Sequence, residues 1–217
     1  MKILLTNIRN TGYSLALASS PEAIEQTNAL VDLMYATRGY STDVLDSSHV
    51  TTVTTFAILK HDKVVGTLSI RFDSEEGLLS DQYFHEELTK LRAEGYKLCE
   101  FTKLAFNDIR STTILAVIFH AAYSYSWYVK HSSLLVIEVN PRHAKYYISK
   151  LGFKPLSEEK FFAELNGPAS LLHLNLEFMH ELLADPNACV CIDKTLYKHK
   201  LTEEEEQEIL TKVKDAI

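Results

Sequence analysis

At 217 residues, with 46% hydrophobic and 24% charged side chains, the chain is long enough for one sizeable core and too apolar for global disorder. A formal net charge of −7 excludes the broad basic face that non-specific nucleic-acid binding needs, leaving only a local patch for an anionic partner. No apolar run approaches the ~20 residues that span a bilayer, no leader pattern opens the chain, and three cysteines without a C-x-x-C motif point to a reducing, cytoplasmic setting.

In chain order, residues 2–8 and 13–18 read as short strands around the turn Asn10-Thr11-Gly12. Ser19-Ser20-Pro21-Glu22 opens a helix with a serine cap and a proline in the first turn, and Arg38-Gly39-Tyr40 ends it. Residues 41–50 form a polar loop. Thr51–Lys60 and Val64–Phe72 are β-branched runs joined across His61-Asp62-Lys63, which predicts a hairpin. A helix from about Asp81 to Ala93, closed by Gly95, follows.

From Lys97 to Phe153, strand, helix, strand and helix succeed one another with little connecting chain. Lys97–Phe106 is a strand, and Ser111–Val129 is a helix apolar nearly all round, so both of its sides should be covered. Leu134–Val139 reads as a continuous apolar strand of a sheet interior, and Pro141–Leu151 as a helix that Gly152 ends. Phe161–Leu165 and Leu171–Leu176 are the last strands, with a helical segment at Phe178–Leu183 before Asp185-Pro186-Asn187. Thr202 to Ile217 is a capped helix running from acidic to basic, whose stripe of Ile209, Leu210 and Val213 fits docking on the body or on a partner. Hairpins first and βαβ later imply a mixed sheet with helices on both faces, an α/β (α+β) class. On sequence, residues 1–185 form one domain and 186–217 a C-terminal extension.

Three places can carry chemistry. In Glu100-Phe101-Thr102-Lys103, a carboxylate and an amine lie within a strand, on opposite faces unless a bulge brings them to one side. Burial there would raise the Glu100 pKa towards neutrality, as a general base requires; a structural ion pair is the alternative. The loop Asp108-Ile109-Arg110-Ser111-Thr112 offers cap hydroxyls, a helix N-terminus and a planar donor to an anion, or is simply a capped helix. Asn140-Pro141-Arg142-His143 with Tyr146-Tyr147 lies where a strand opens into a helix, the usual ligand position of open α/β sheets. The nine histidines show no H-x-H or H-x-x-x-H spacing, no G-x-S-x-G elbow exists, and Cys99 lies within a strand as an inert thiol would.

The motifs Y-A-T-R-G-Y (35–40), V-V-G-T-L-S-I (64–70), E-G-L-L-S-D (76–81), L-R-A-E-G (91–95), C-E-F-T-K-L-A-F (99–106), V-N-P-R-H (139–143), L-G-F (151–153) and P-A-S-L-L-H-L-N-L (168–176) occur in order across about residues 25–185. This ordered set resembles the N-acyl amino acid synthases of the FeeM type, in the GNAT acyltransferase superfamily and related to the acyl-homoserine-lactone synthases. The resemblance implies a GNAT-like sheet splayed between the strands ending near Phe106 and Asn140. It also implies transfer of a long fatty acyl group from acyl carrier protein to the α-amine of a small amino-acid acceptor, with no permanently bound cofactor and no metal. The acyl-phosphopantetheine of the carrier protein, or acyl-coenzyme A, is the implied donor substrate. Peripheral contact with a membrane on release of a lipid product stays open.

By the family pattern Glu100 and Tyr147 take catalytic positions, as base and as acid towards the leaving thiolate. Arg38, Tyr40, Lys103, Phe106 and Asn140 line the substrate side. Arg110, Ser111, Thr112, Arg142, His143 and Lys145 face the pantetheine or the carrier protein, with Lys150 extending the basic patch. The sequence departs from the pattern in three places. Lys103 stands where the lactone synthases carry the arginine of Glu-x-x-Arg. The usual glycine-bearing phosphate loop is absent, which suits a donor with one phosphodiester. Tyr147 precedes Gly152 by five residues, where four is commoner. A short-chain acyl-coenzyme A acetyltransferase and a catalytically inert GNAT-like module are the competing readings.

Overall fold

The computed structural model describes residues 1–37, 52–107, 111–162, 167–185 and 195–215. The strands are β1 Lys2–Leu5, β2 Tyr13–Leu17, β3 Val53–Lys60, β4 Lys63–Phe72, β5 Leu98–Phe106, β6 Leu134–Val139, β7 Lys154–Pro155, β8 Lys160–Phe162 and β9 Gly167–Asn175. The helices are α1 Pro21–Ala36, α2 Asp81–Ala93, α3 Thr112–Ser124, α4 Pro141–Leu151, α5 Leu176–Ala184 and α6 Glu203–Lys214. The strands join in one sheet of order β1-β2-β3-β4-β5-β6-β9-β7, with β8 also on β9. Among the described residues every strand pairing is antiparallel except β5 with β6.

Local chemistry explains most boundaries. Ser20, Ser111, Asn140, Asn175 and Thr202 each cap a helix through the side chain, and Thr202 with Glu205 forms a full capping box. His61 and Asp62 both take positive φ, so the β3–β4 hairpin closes on a two-residue turn, one residue tighter than the expected His61-Asp62-Lys63. The first strand stops at Leu5 because Asn7, Arg9 and Asn10 adopt left-handed backbone in a short 3-10 turn. β9 begins at Gly167, earlier than Leu171, because its N-terminal half pairs with β8. The expected helix over Ser111–Val129 changes pitch after Ser124 and ends in a π-helical turn, Tyr125–Val129. There Tyr125 packs edge-on against Phe56 and Phe72.

On one face of the sheet α2 covers Leu98, Leu134, Val136 and Leu171, and α1 covers Val64 and Ala105. On the other, α3 lies over Phe56, Ile58, Leu68, Ile70, Phe101 and Ile137. The outer side of α3 is closed by the C-terminal segment. Leu196, Tyr197, Leu201, Ile209 and Val213 are buried in the same cluster, and Leu201 N–H donates to Nδ1 of buried His120 at 2.8 Å. Lys212 Nζ donates to the Leu4 carbonyl at 2.9 Å, which ties α6 across β1. The apolar stripe of the last helix therefore docks on the body.

Candidate active site

β5 and β6 run side by side only over Leu98–Leu134, Cys99–Leu135 and Glu100–Val136. Beyond that point β5 continues to Phe106 and β6 to Val139 without pairing with each other, so the sheet opens into a cleft at the C-terminal ends of this parallel pair. β6 passes through the cap residue Asn140 into the N-terminus of α4, and α3 is the next helix after β5 in the chain.

Glu100 stands at the vertex of this cleft. It is 2% exposed, and its carboxylate accepts hydrogen bonds from the backbone N–H of Leu79 at 2.7 Å and of Ser80 at 3.2 Å. Burial pushes its carboxyl up to about 7 against the lowering effect of those donors, and the nearby Glu138 carboxylate adds to the rise. The loop that presents the donors is clamped by Arg92, which bonds Asp73 at 2.7 Å and Asp81 at 2.6 Å. Arg71, cross-strand neighbour of Glu100, holds the same loop through the Gly77 carbonyl at 2.9 Å.

The bulge that the Glu100–Lys103 spacing invites is present. The β4–β5 register slips between Ser69–Thr102 and Thr67–Ala105, and Lys103 sits in it with φ 51°. The extra residue undoes the strand alternation and sends Lys103 to the face of Glu100. There its Nζ donates to Asn28 Oδ1 of α1 at 3.0 Å, in a position 8% exposed.

Phe106, at the end of β5, packs against Gly66. A Cβ at Gly66 would lie 2.5 Å from the Phe106 ring and 3.2 Å from Ile58 Cβ. Gly66→Val should therefore cost about 1–3 kcal/mol by overpacking, measured by urea unfolding, and turn Phe106 into the cleft. Tyr147 points inward from α4 with its ring against Phe119 and Phe153. Burial holds its phenol above the usual range, with Tyr35 and Tyr146 adding to the rise. Ile148, four residues before Gly152, is instead exposed, so the helix turns Tyr147 rather than its successor to the interior.

Ser111 caps α3, accepting from Ile114 N–H at 3.4 Å, and Thr112 is the exposed first helical residue. Asn140 caps α4 through Arg142 N–H at 3.2 Å. Arg142, His143, Lys145 and Lys150 are exposed along α4, and Arg142 Nε donates to His143 Nε2 at 3.1 Å. Arg38, Tyr40 and Arg110 lie outside the described residues, as do Cys189 and Cys191. Cys99 is fully buried and its thiol pushed up to about 12, which leaves it protonated and inert.

Glu138 escaped sequence reasoning. The run Leu134–Val139 reads as plain apolar strand, yet the signal that drew attention to Glu100, a carboxylate inside such a strand, is present there too. Asn28 and the Leu79 and Ser80 amides had no signal, because they reach the site only through the packing of α1 and of the loop before α2.

Residues 26–175 match the family model described as N-acyl amino acid synthase FeeM. The solved structure of FeeM, an N-acyl amino acid synthase from uncultured soil microbes, is 28% identical with a TM-score of 0.70, over 76% of this chain and 91% of that one. The acyl-homoserine-lactone synthase LasI shares the fold at 14% identity and a TM-score of 0.60, over 88% of this chain and 98% of that one. An N-acetyltransferase from Lactobacillus plantarum, whose assignment its describers left provisional, is 15% identical with a TM-score of 0.55, over 76% of this chain and 99% of that one. No curated protein sequence matches.

Proposed function

Because this chain belongs to the FeeM N-acyl amino acid synthase family and is an amide-forming N-acyltransferase, we propose that it moves a long-chain fatty acyl group from the thioester of acyl carrier protein to the α-amine of an amino acid. The observation that carries this reading is the β5–β6 cleft with Glu100 at its vertex and Lys103 on the same face. Unpaired backbone N–H groups along a splayed strand suit the amides of a pantetheine arm and polarise a thioester carbonyl placed among them. Lys103 is the cation that pairs with the acceptor's carboxylate, with Arg38 and Tyr40 closing the acceptor side and Phe106 and Asn140 flanking the cleft mouth. Tyr147, a phenol protonated at neutral pH whose burial raises its pKa further, gives its proton to the departing thiolate. Ser111, Thr112 and Arg110 at the start of α3 meet the single phosphodiester of the arm.

The acceptor ammonium must lose a proton before it attacks. Glu100, sealed against Leu79 and Ser80 and 2% exposed, acts on it through an intervening group rather than by contact. The tail lies in apolar surroundings, each buried methylene contributing about 0.8 kcal/mol. Among the described residues no helix is long and apolar enough to cross a membrane.

Purified protein offered matched long-chain acyl thioesters of carrier protein and of coenzyme A, with all common amino acids, tests the reading by mass spectrometry of products. N-acyl amino acids should form from the carrier-protein donor with kcat/KM about tenfold or more above the coenzyme A donor. Equal or better use of coenzyme A would remove the carrier protein. Formation of short-chain amides alone would favour the acetyltransferase. The exposed row Arg142, Lys145 and Lys150 is the proposed dock for the acidic carrier. Arg142→Glu with Lys145→Glu should raise the donor's apparent KM about tenfold at low salt, the gap closing as salt is added; a salt-independent effect would count against the dock.

A further inference from the structure

Resting on the amine-acceptor reading above, we infer that Glu138 is a catalytic residue: its carboxylate receives the acceptor ammonium and takes the proton that frees the amine. Glu138 sits on β6 beyond the last β5 pairing, in the open part of the cleft. Val136, two residues earlier, pairs with Glu100 and packs under α2, while Ile137 faces α3. Strand alternation therefore sends Glu138 to the same face as Glu100 and the bulged Lys103. It is half-buried, and its carboxylate has no hydrogen-bond or ion-pair partner among the described residues. A carboxylate so placed and unpaired is costly unless something cationic enters beside it. Glu100 shows the opposite state, with both oxygens engaged and no surface to offer. Burial pushes the Glu138 carboxyl up to about 7, which suits proton transfer near neutral pH.

The charged and titratable groups on this face, among the described residues, include Glu100 and Lys103 of β5, Arg71 of β4, His173 of β9 with Lys154 opposite it on β7, Tyr35 of α1, and Tyr83 and Glu87 of α2, the last paired with Lys160. Glu100 lies on the strand next to Glu138 across the cleft vertex. Its charge makes Glu138 a better proton acceptor, and Lys103 is placed to hold the acceptor's carboxylate. In the step, the ammonium passes one proton to Glu138, and the amine nitrogen forms a C–N bond to the thioester carbon. The tetrahedral species then loses a second proton from nitrogen as the C–S bond breaks: Tyr147 gives its proton to the leaving sulfur, and the proton from nitrogen restores the phenol. The third hydrogen stays on the amide, and Glu138 returns its proton to water.

The test compares Glu138→Gln with wild type using two nucleophiles at pH 7: the preferred amino acid, which arrives as an ammonium, and hydroxylamine, which is already neutral. Glu138→Gln should lower kcat/KM for the amino acid roughly 100-fold and change hydroxylamine acylation no more than a few-fold. Its donor KM and thermal midpoint should stay near wild type. Equal loss with both nucleophiles, or loss with neither, overturns the role of Glu138. The acceptor reading fails separately. If wild type acylates hydroxylamine but no amino acid, that reading is removed, and the comparison is decided with whichever ionised amine the enzyme accepts.

Discussion

Glu100→Gln should shift the acid limb of the kcat/KM–pH profile to lower pH and reduce the plateau about 10- to 100-fold. The direction follows from two neighbouring carboxylates that are both raised to about 7. Each negative charge disfavours the other, so removing Glu100 lets Glu138 ionise more readily. A Glu100 that is only a structural anchor would lower the rate without moving the limb. Glu138→Gln should instead remove the inflection near pH 7 and leave a rate that keeps climbing with pH as the small fraction of free amine grows.

The same substitution has a stability signature. In wild type, Glu100 is raised in the fold above the ordinary 4.5. A raised carboxyl favours the folded state fully below its unfolded pKa, and that advantage is lost as pH climbs through the folded value. Wild-type stability should therefore fall by about 3 kcal/mol between pH 4.5 and 8 from this group. In Glu100→Gln the slope should be smaller, though not zero, because Glu138 titrates in the same sense. The amide also cannot satisfy both the Leu79 and Ser80 donors, so at low pH the variant should be less stable by about 1–3 kcal/mol. Urea midpoints across the pH range check both parts; parallel curves for the two proteins would refute the assignment.

A chain ending at Leu201 should fail to hold its native fold. Removing α6 strips Ile209, Leu210 and Val213 from the core, worth about 1.5–3 kcal/mol each, and uncovers part of α3 and β1 as well. The sum is comparable with the whole stability of an ordinary domain, about 5–15 kcal/mol. Circular dichroism in the near ultraviolet should show tertiary signal lost, and a dye for exposed apolar surface should bind. The milder Ile209→Asp should lower the thermal midpoint sharply without removing any chain. A truncated protein with wild-type unfolding would mean that the segment is an appendage.

Much of the candidate site's framework could be read from residue type and spacing. The succession from Lys97 to Phe153 is legible because each element carries its own signal: β-branched or apolar runs, cap residues at Ser111 and Asn140, and Gly152 with φ 78° where a helix must stop. Glu100 and Lys103 were visible because charge inside an apolar strand is costly. Less legible were features that depend on a partner element. The two-residue strand β7 exists only because β9 lies beside it, and the position of Tyr147 depends on which side of α4 meets Phe119 and Phe153.

The sequence by itself determined the mixed α/β class, the order of strands and helices apart from β7, the family and the carboxylate within β5, since all of these rest on local patterning and motif order. Only the tertiary structure decided which face Lys103 uses, because one bulged residue reverses strand alternation and no composition rule counts it. It alone paired Glu100 with the Leu79 and Ser80 amides and set Glu138 on the same side of the cleft, because these groups are brought together by sheet register and by the packing of a loop held by Arg92. It also turned the last helix from a stripe of uncertain destination into the cover of α3. An apolar face announces in sequence that it must be buried; what buries it is a property of the fold.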